Sequence, residues 1–443
     1  MSGITIGIAG FGFMLVLMAL RVHIGIAMFT AGSVIYLVIN HGDLNSWLFT
    51  LNDLAYARLS NYSLSVIPLC MLMGQFATHG GLSKSLFRAA GSLIGHWRGG
   101  LAMSSSLACI GFGAISGSSL ATAATMGQVA LPELMGKGYS GRLATATLAA
   151  SGTLGILVPP SVPLVVYAVL TQESIGKLFA AAVIPGLIAL FGYLIVIRII
   201  VSRDPSAGPA SEKANWRERI IAQLKVLPVL GLFLVIVVGI YGGWASPTEA
   251  TSIGAAGAGL IAAAFGGLRW PQLLTSIYRT AIATAMIFLV LVGADLLNSA
   301  LAISQMPVEL AEWVKHSNLP PLLVLAAILG IYILLGCVMD SLAMLFLTIP
   351  IFYPMIMGLD FWGMGATDKS VWFGILVLMV VEIGLVHPPV GMNLYIINKL
   401  ARGVPMSETA WGVVPFLASD FARIILLVLV PSIPLFLVHL QQV

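Results

Sequence analysis

The chain has 443 residues, of which 59% are hydrophobic and only 9% are charged, and its formal net charge is +4. Soluble domains carry charge on about 25% of their residues, because a water-exposed surface needs polar groups. This composition argues against a soluble enzyme, a disordered chain and a secreted disulfide scaffold, and we expect no nucleic-acid partner.

The first half contains five apolar runs that are candidates to cross a bilayer, which takes about 20 residues. They lie at 4–20, 24–39, 64–79, 143–170 and 178–198. A further apolar stretch, 100–135, is interrupted by Ser116-Gly117-Ser118-Ser119. Each of its arms has about 16 residues and a length of about 24 Å, which is less than a hydrocarbon core of about 30 Å. We therefore predict a re-entrant helical hairpin with its tip inside the membrane.

Residues 202–225 form the longest polar stretch and are predicted to link two halves, 1–201 and 226–443. The second half has candidate crossings at 226–243, 250–267, 280–303, 372–398 and 420–440, and a second predicted hairpin, 322–357, interrupted at Met339-Asp340-Ser341. With the N-terminus outside, the loops on the linker's side hold 16 of the 21 Lys and Arg residues and the opposite loops hold four. Since Lys and Arg accumulate in cytoplasmic loops, both termini are predicted outside and the linker inside.

The two halves share motifs at similar offsets. Ser119-Leu120-Ala121 recurs as Ser341-Leu342-Ala343, and Gly155-x-x-x-Pro159-Pro160 recurs as Gly384-x-x-x-Pro388-Pro389. Each half has five predicted crossings and one hairpin, and an odd number of crossings inverts the second half. The predicted fold is an all-α polytopic membrane protein with an inverted repeat, an arrangement typical of secondary transporters.

Each Pro-Pro pair lies inside a predicted crossing, 143–170 or 372–398, where proline removes a backbone hydrogen bond and unwinds the helix. Freed carbonyls are tolerated in a membrane only where they are buried in protein or line a polar cavity, and a small hard cation suits such oxygens. We predict that each tip meets the broken helix of its own half to bind one sodium ion. The first site is predicted at Ser116, Gly117, Ser118, Ser119, Gly155, Val158 and Pro160, and the second at Met339, Asp340, Ser341, Gly384, Val386, His387 and Pro389.

The helix N-termini at the tips carry partial positive charge and free N–H groups, which suit a carboxylate. The hairpins and broken crossings contain no Lys or Arg, so an anionic substrate would be held by helix dipoles, hydroxyls and co-bound cations. The predicted substrate cavity contains Ser118, Thr122, Ser161, Asp340, Asn393 and Tyr395. Helix capping by Asp340 and simple packing of Asn393 and Tyr395 remain alternatives.

Three further ionisable residues lie at predicted membrane depth. A charge at the centre of a bilayer costs about 3 kcal/mol or more, so Asp295 and Glu382 are expected to face a polar interior, either in transport or in structural hydrogen bonds. His387 either satisfies freed carbonyls or carries a proton.

The histidines and cysteines show no ligand or disulfide spacing, so no transition metal is expected. No acid, base and nucleophile converge on the breaks, which argues against an enzyme.

At these motifs the sequence resembles the large membrane subunit of tripartite ATP-independent periplasmic (TRAP) transporters. The resemblance rests on residues 115–122, 155–161, 247–250 and 384–391, with Val66-Ile67-Pro68 and Gly74, and it covers essentially the whole chain. His387 departs from the pattern, since threonine is more usual there. This departure puts a side-chain ligand at position 387 in doubt.

The resemblance implies sodium-driven uptake of organic acids (a dicarboxylate, sialic acid, keto acid or sugar acid) by an elevator mechanism, with no organic cofactor. It also implies a bacterial inner-membrane location with periplasmic termini, a periplasmic substrate-binding protein and a small four-helix membrane subunit, expected as a separate chain. The alternative is a stand-alone sodium- or proton-coupled carboxylate or ion transporter of similar architecture. No P-loop motif occurs, which agrees with ion-driven transport.

Overall fold

The computed structural model describes residues 3–316, 319–337 and 339–440, and within these ranges the chain is helical, without β-strands. The helices of the first half are α1 (Gly3–Ala19), α2 (Ile24–Ile39), α3 (Leu44–Leu59), α4 (Val66–His79), α5 (Leu82–Ile94), α6 (Gly100–Ser116), α7 (Ser119–Gly136), α8 (Gly141–Thr153), α9 (Val162–Thr171) and α10 (Ile175–Arg203). Those of the second half are α11 (Trp216–Tyr241), α12 (Pro247–Phe265), α13 (Trp270–Ile303), α14 (Met306–His316), α15 (Pro321–Gly336), α16 (Ser341–Met357), α17 (Ala366–Val386), α18 (Met392–Leu400), α19 (Met406–Leu429) and α20 (Ser432–Leu440). Short 3₁₀ turns cover Tyr62–Ser65 and Leu154–Ile156.

The predicted all-α class is confirmed within the described residues. Five helices, α10, α11, α13, α17 and α19, are long and apolar enough to cross a membrane, and several shorter apolar helices, including α1, α2, α6 and α15, accompany them. α17 lies at the centre of the molecule, because every residue of its most apolar 18-residue segment is buried. In α11, only 17% of the most apolar 18-residue segment is buried. α11 therefore has a large apolar surface for lipid or another chain.

Several boundaries differ from the predictions. The linker 202–225 is shorter than expected, since α10 continues to Arg203 and α11 begins at Trp216, where Asn215 and Glu218 form a capping box. The last crossing, predicted at 420–440, is instead α19, which begins at Met406, followed by α20 after an interruption at Val430 and Pro431. Hydropathy locates apolar runs, but polar first turns extend helices beyond them.

Three helices, α3, α5 and α14, were not predicted. α5 is amphipathic and buries Leu82, Leu86 and Phe87 while its other face stays exposed. α3 buries none of its residues, and it is tied to α13 by Arg58, whose guanidinium binds both carboxylate oxygens of Asp295, with Nη2 2.7 Å from Oδ1. Because their sequences are short or polar, these helices escape a search for crossings.

Each predicted hairpin is a pair of helices that pack on each other, α6 with α7 and α15 with α16. Each predicted broken crossing consists of two helices, α8 and α9 or α17 and α18, separated at a Pro-Pro pair whose peptide bond is cis. These eight helices form what we call the broken-helix group. α18 packs on α7 and α8, and α16 packs on α9, so the two halves interlock.

A second set, α1, α2, α4, α12 and α13, forms what we call the framework group. Its members pack mainly on one another: α2 on α13 and α1, and α4 on α12 and α13. The framework reaches the first tip at Gly74 of α4, where a Cβ would lie 3.0 Å from the Cα of Ser116. The tip is thus held between the two groups.

Candidate functional site

The first tip is formed where α6 ends at Ser116. Gly117 has φ +61°, a left-handed conformation that glycine adopts without strain. Ser118 follows as the N-cap of α7, and its Oγ accepts the N–H of Ala121 at 3.4 Å. A Cβ on Gly117 would lie 3.2 Å from the carbonyl oxygen of Pro160. The tip and the first Pro-Pro break are therefore in contact, as the sequence predicts.

A pair of glycines brings the backbones of α6 and the first break together. A Cβ on Gly155 would lie 2.9 Å from the Cα of Gly113 and 2.8 Å from the Oγ1 of Thr122. Real Cβ atoms do not come this close, so both positions require glycine. Gly155 was predicted as a site residue, whereas its partner Gly113 was not.

Polar oxygens cluster at this contact. The Oγ of Ser116 lies 2.8 Å from the Oγ1 of Thr122, and it donates weakly to the carbonyl oxygens of Ser118, at 3.4 Å, and Gly113, at 3.5 Å. Thr122, predicted to line the substrate cavity, thus belongs to the same cluster as the ion-site residue Ser116. Two hydroxyls and two carbonyls in one buried place form a donor set that suits a hard cation.

The other residues predicted around the first site lie at its margins. Ser119 is buried in the first turn of α7, and Val158 is half-buried and lines an apolar crevice. Ser161 is fully buried, and its hydroxyl has no hydrogen-bond partner among the described residues. Buried hydroxyls are normally satisfied, so Ser161 marks a place for a further polar group.

The second tip repeats the glycine contact but has fewer oxygens. A Cβ on Gly336, at the end of α15, would lie 2.8 Å from the Cα of Gly384. His387, after α17, lies with its Nδ1 3.8 Å from the Sγ of Cys337 and also contacts the carbonyl oxygen of Pro388. The last residues of α15 and the second break are therefore in contact, and His387 interacts with a freed carbonyl.

Asp340 acts as the N-cap of α16 in this structure. Its Oδ1 accepts the N–H groups of Leu342 at 2.7 Å and Ala343 at 3.0 Å, and the residue is exposed. Capping, one of the two interpretations, is thus observed. The other residues predicted for the second site lie at the tip and the break. Met339 and Val386 are buried, Ser341 is half-buried and Pro389 is exposed.

The two cavity residues after the second break differ in burial. Asn393 is fully buried, and neither its amide nitrogen nor its oxygen has a hydrogen-bond partner among the described residues. Tyr395 is 62% exposed, so it does not line a closed cavity here. α18 turns once per 3.6 residues, which places these two residues on different faces. Asn393 therefore remains the candidate.

A buried charge cluster lies near the second break and was not predicted as a unit. Arg423 of α19 has its Nη2 2.9 Å from the Oδ1 of Asp420 and 3.8 Å from the Oε2 of Glu382 on α17. The hydroxyl of Tyr193 on α10 donates to the Oδ2 of Asp420 at 2.8 Å. All four side chains are nearly inaccessible to solvent. Glu382 thus faces a polar interior, as expected.

The residues missed by sequence reasoning left only weak signals. Gly113 and Gly336 fall one position out of register at the offset that aligns Ser119 with Ser341, so direct comparison of the two halves does not superimpose them. Arg423 and Asp420 were hidden because the last crossing was assigned to the wrong residues. Tyr193 had no signal apart from its place in an apolar helix.

A family model described as "Tripartite ATP-independent periplasmic transporter, DctM component" matches residues 11–433. The C4-dicarboxylate TRAP transporter large permease protein of Pseudomonas aeruginosa is 33% identical over 376 residues, covering 85% of this chain and 86% of that one. The ectoine TRAP transporter large permease protein of Halomonas elongata is 31% identical, covering 88% and 89%.

A third relative, the isethionate TRAP transporter permease protein of Oleidesulfovibrio alaskensis, is 29% identical, and the match covers 87% of this chain but 59% of that longer one. Among solved structures, the Alcanivorax borkumensis YdaH transporter matches with a TM-score of 0.60 at 14% identity, covering 88% of each chain. At this identity the likeness shows a shared fold and no more.

Proposed function

The chain belongs to the DctM component family of tripartite ATP-independent periplasmic transporters, and we propose that it imports small organic acids together with sodium. The single observation that supports this most directly is the first tip. Ser116 and Thr122 place two hydroxyls beside the carbonyls of Gly113 and Ser118, in buried surroundings. Residues 100–135 and 143–170, which supply this cluster, contain no Lys or Arg, and such an oxygen cluster suits a sodium ion better than a proton carrier.

The substrate is proposed to bind beside this ion. Ser161 and Asn393 are buried, and their side-chain polar atoms have no hydrogen-bond partners within the described ranges. The first N–H groups of α7 have no partner within the helix, and Ser118 caps the one of Ala121. A helix N-terminus favours a carboxylate, and a bound sodium ion would add positive charge. Named relatives that handle C4-dicarboxylates make a dicarboxylate the first compound to test.

We further propose an elevator mechanism, in which the broken-helix group moves against the framework group. The separate internal packing of the two groups supports this division. Both candidate ion sites lie within the broken-helix group, so ions and substrate would travel with it. The tip contact at Gly74 is then one of the interfaces that must slide.

The proposed partners are a periplasmic binding protein and a small membrane subunit, and the proposed location is the bacterial inner membrane. The match covers 59% of the longer isethionate permease relative, and we propose that the small subunit that works with this chain is a separate chain. The rival, a stand-alone transporter, differs in needing no binding protein.

The test is uptake of radiolabelled succinate into proteoliposomes that contain this chain, its small subunit and its binding protein. We expect uptake to require an inward sodium gradient, to carry net positive charge inward and to stop when the binding protein is left out. A potassium gradient of equal size is the control. Full uptake driven by a proton gradient without sodium would contradict the coupling, and undiminished uptake without the binding protein would favour the rival.

Gly117→Val tests the tip itself. Valine is strained at φ +61° and would crowd the carbonyl of Pro160, so transport should be lost while the complex still assembles. Lys213→Ala in the exposed linker is the control and should transport normally. Normal sodium-dependent uptake by Gly117→Val would remove the tip from the ion site.

A further inference from the structure

An apolar crevice of about 500 Å³ separates α11 from α6 and α10. Its walls include Leu86 of α5, Leu187 of α10, and Val229 and Phe233 of α11. It follows α11 from Val229 to Tyr241, about 18 Å at 1.5 Å per residue. Tyr241 is the single lining side chain in the described chain that carries a polar atom. The crevice is therefore a long apolar slot.

Three basic residues lie at one end of this slot. Lys84 and Arg88 flank Leu86 on α5, and Lys225 lies one turn before Val229 on α11. All three are exposed and line one pocket. Within the described ranges, none has a carboxylate within 4.0 Å. Each of the three cations thus lies within four residues, along its own helix, of a residue that lines the slot.

The cluster is held in place by contacts between the two helices. The amide nitrogen of Gln223 on α11 donates to the carbonyl oxygen of Ala89 on α5 at 3.0 Å. Glu218 also lines the pocket, so one carboxylate stands against the three cations. The pocket therefore keeps a net positive charge next to exposed apolar surface.

The dimensions of the slot decide between possible occupants. A helix 10 Å wide and 18 Å long would need about 1,400 Å³, far more than the slot provides. An acyl chain spans half of a hydrocarbon core, about 15 Å, which is close to the length of the slot. Basic pockets at the cytoplasmic ends of membrane helices suit anionic lipid headgroups.

We propose that the slot binds one acyl chain of an anionic phospholipid whose phosphate is held by Lys84, Arg88 and Lys225. The lipid would lie between α11 on one side and α6 and α10 on the other. It would also reach the first break, since Ile115 of α6 and Pro159 line the slot. The slot adjoins the first ion site at Val158, which lines both, but the proposed lipid binding does not depend on sodium coupling.

The experiment is native mass spectrometry of the purified full chain with added dioleoylphosphatidylglycerol or dioleoylphosphatidylcholine. We expect one tightly bound phosphatidylglycerol, retained at least fivefold better than phosphatidylcholine. The double variant Lys84→Gln/Arg88→Gln should lose this preference. Its matched control, Lys213→Gln/Arg217→Gln in exposed positions, removes the same charge and should keep it.

A second pair of variants tests the slot itself. Leu187→Trp places an indole in the slot and should reduce binding of both lipids at least fivefold, whereas Leu227→Trp on the exposed face of α11 should not. Equal retention of the two lipids by the unaltered chain, or equal lipid binding by both Trp variants, would overturn the proposal. Loss of the lipid when the small subunit binds would assign the slot to that subunit and overturn it as well.

Discussion

The contact between Gly155 and Gly113 provides a direct test of the first site. In Gly155→Ala the new Cβ would lie 2.8 Å from the Oγ1 of Thr122 and 2.9 Å from the Cα of Gly113, whereas ordinary contact begins at 3.4 Å. The neighbours must therefore move by 0.6 Å and 0.5 Å. Overpacking of this kind costs about 1–3 kcal/mol of folding free energy.

The displaced Thr122 hydroxyl is a proposed ion ligand, so the effect should reach sodium binding. Losing one such oxygen should cost about 1.5–3 kcal/mol, the range for hydrogen bonds to charged groups. That energy corresponds to about a 10- to 150-fold higher half-saturating sodium concentration. The assay is uptake against sodium concentration, normalised to folded complex.

Gly186→Ala on α10 is the matched control, because its Cβ would meet Leu157, in the same break as Gly155, at an ordinary contact distance of 3.4 Å. It should leave sodium dependence unchanged. If Gly155→Ala behaves like Gly186→Ala, then the Thr122 hydroxyl does not bind the ion and the argument from the oxygen cluster fails.

Three further variants separate structural from functional roles. Asp340→Ala should lower the free energy of unfolding by about 1 kcal/mol through loss of the N-cap. Asp340→Asn can still cap, so its melting temperature and its transport should be unchanged. A higher half-saturating sodium concentration in Asp340→Asn would show that the charge acts on the ion. Arg423→Met leaves two buried carboxylates unpaired and should lower the free energy of unfolding in denaturant by about 3–5 kcal/mol. The exposed control Arg402→Met should lower it by less than about 0.5 kcal/mol. Equal losses in the two variants would disprove the charge cluster. Asn393→Leu should stop uptake without lowering the melting temperature, because the Asn393 side chain has no partner among the described residues. Asn398→Leu should lower the melting temperature, because Asn398 donates to the carbonyl of Val404 at 3.0 Å. Normal uptake by Asn393→Leu would exclude Asn393 from the substrate cavity.

The sequence identified the breaks because their signals are local. Gly117 between two serines stops a helix, and adjacent prolines interrupt one, so helices end at each of the four predicted interruptions. The sequence missed α3, α5 and α14 because hydropathy detects crossings and not helices that lie on or beside the bundle. It also displaced the last crossing, because the polar first turns of α19 hide its true start.

Composition, apolar run lengths and paired motifs by themselves determined the class of the protein, its all-α architecture and the location of the breaks, since each depends on residues close together in the chain. Only the tertiary structure decided which breaks touch which helices. The contact of Gly113 with Gly155, the pairing of Arg58 with Asp295 and the cluster around Arg423 join residues far apart in sequence. Such contacts arise from how helices pack in three dimensions, and hydrophobic patterns along one chain do not specify which faces will meet.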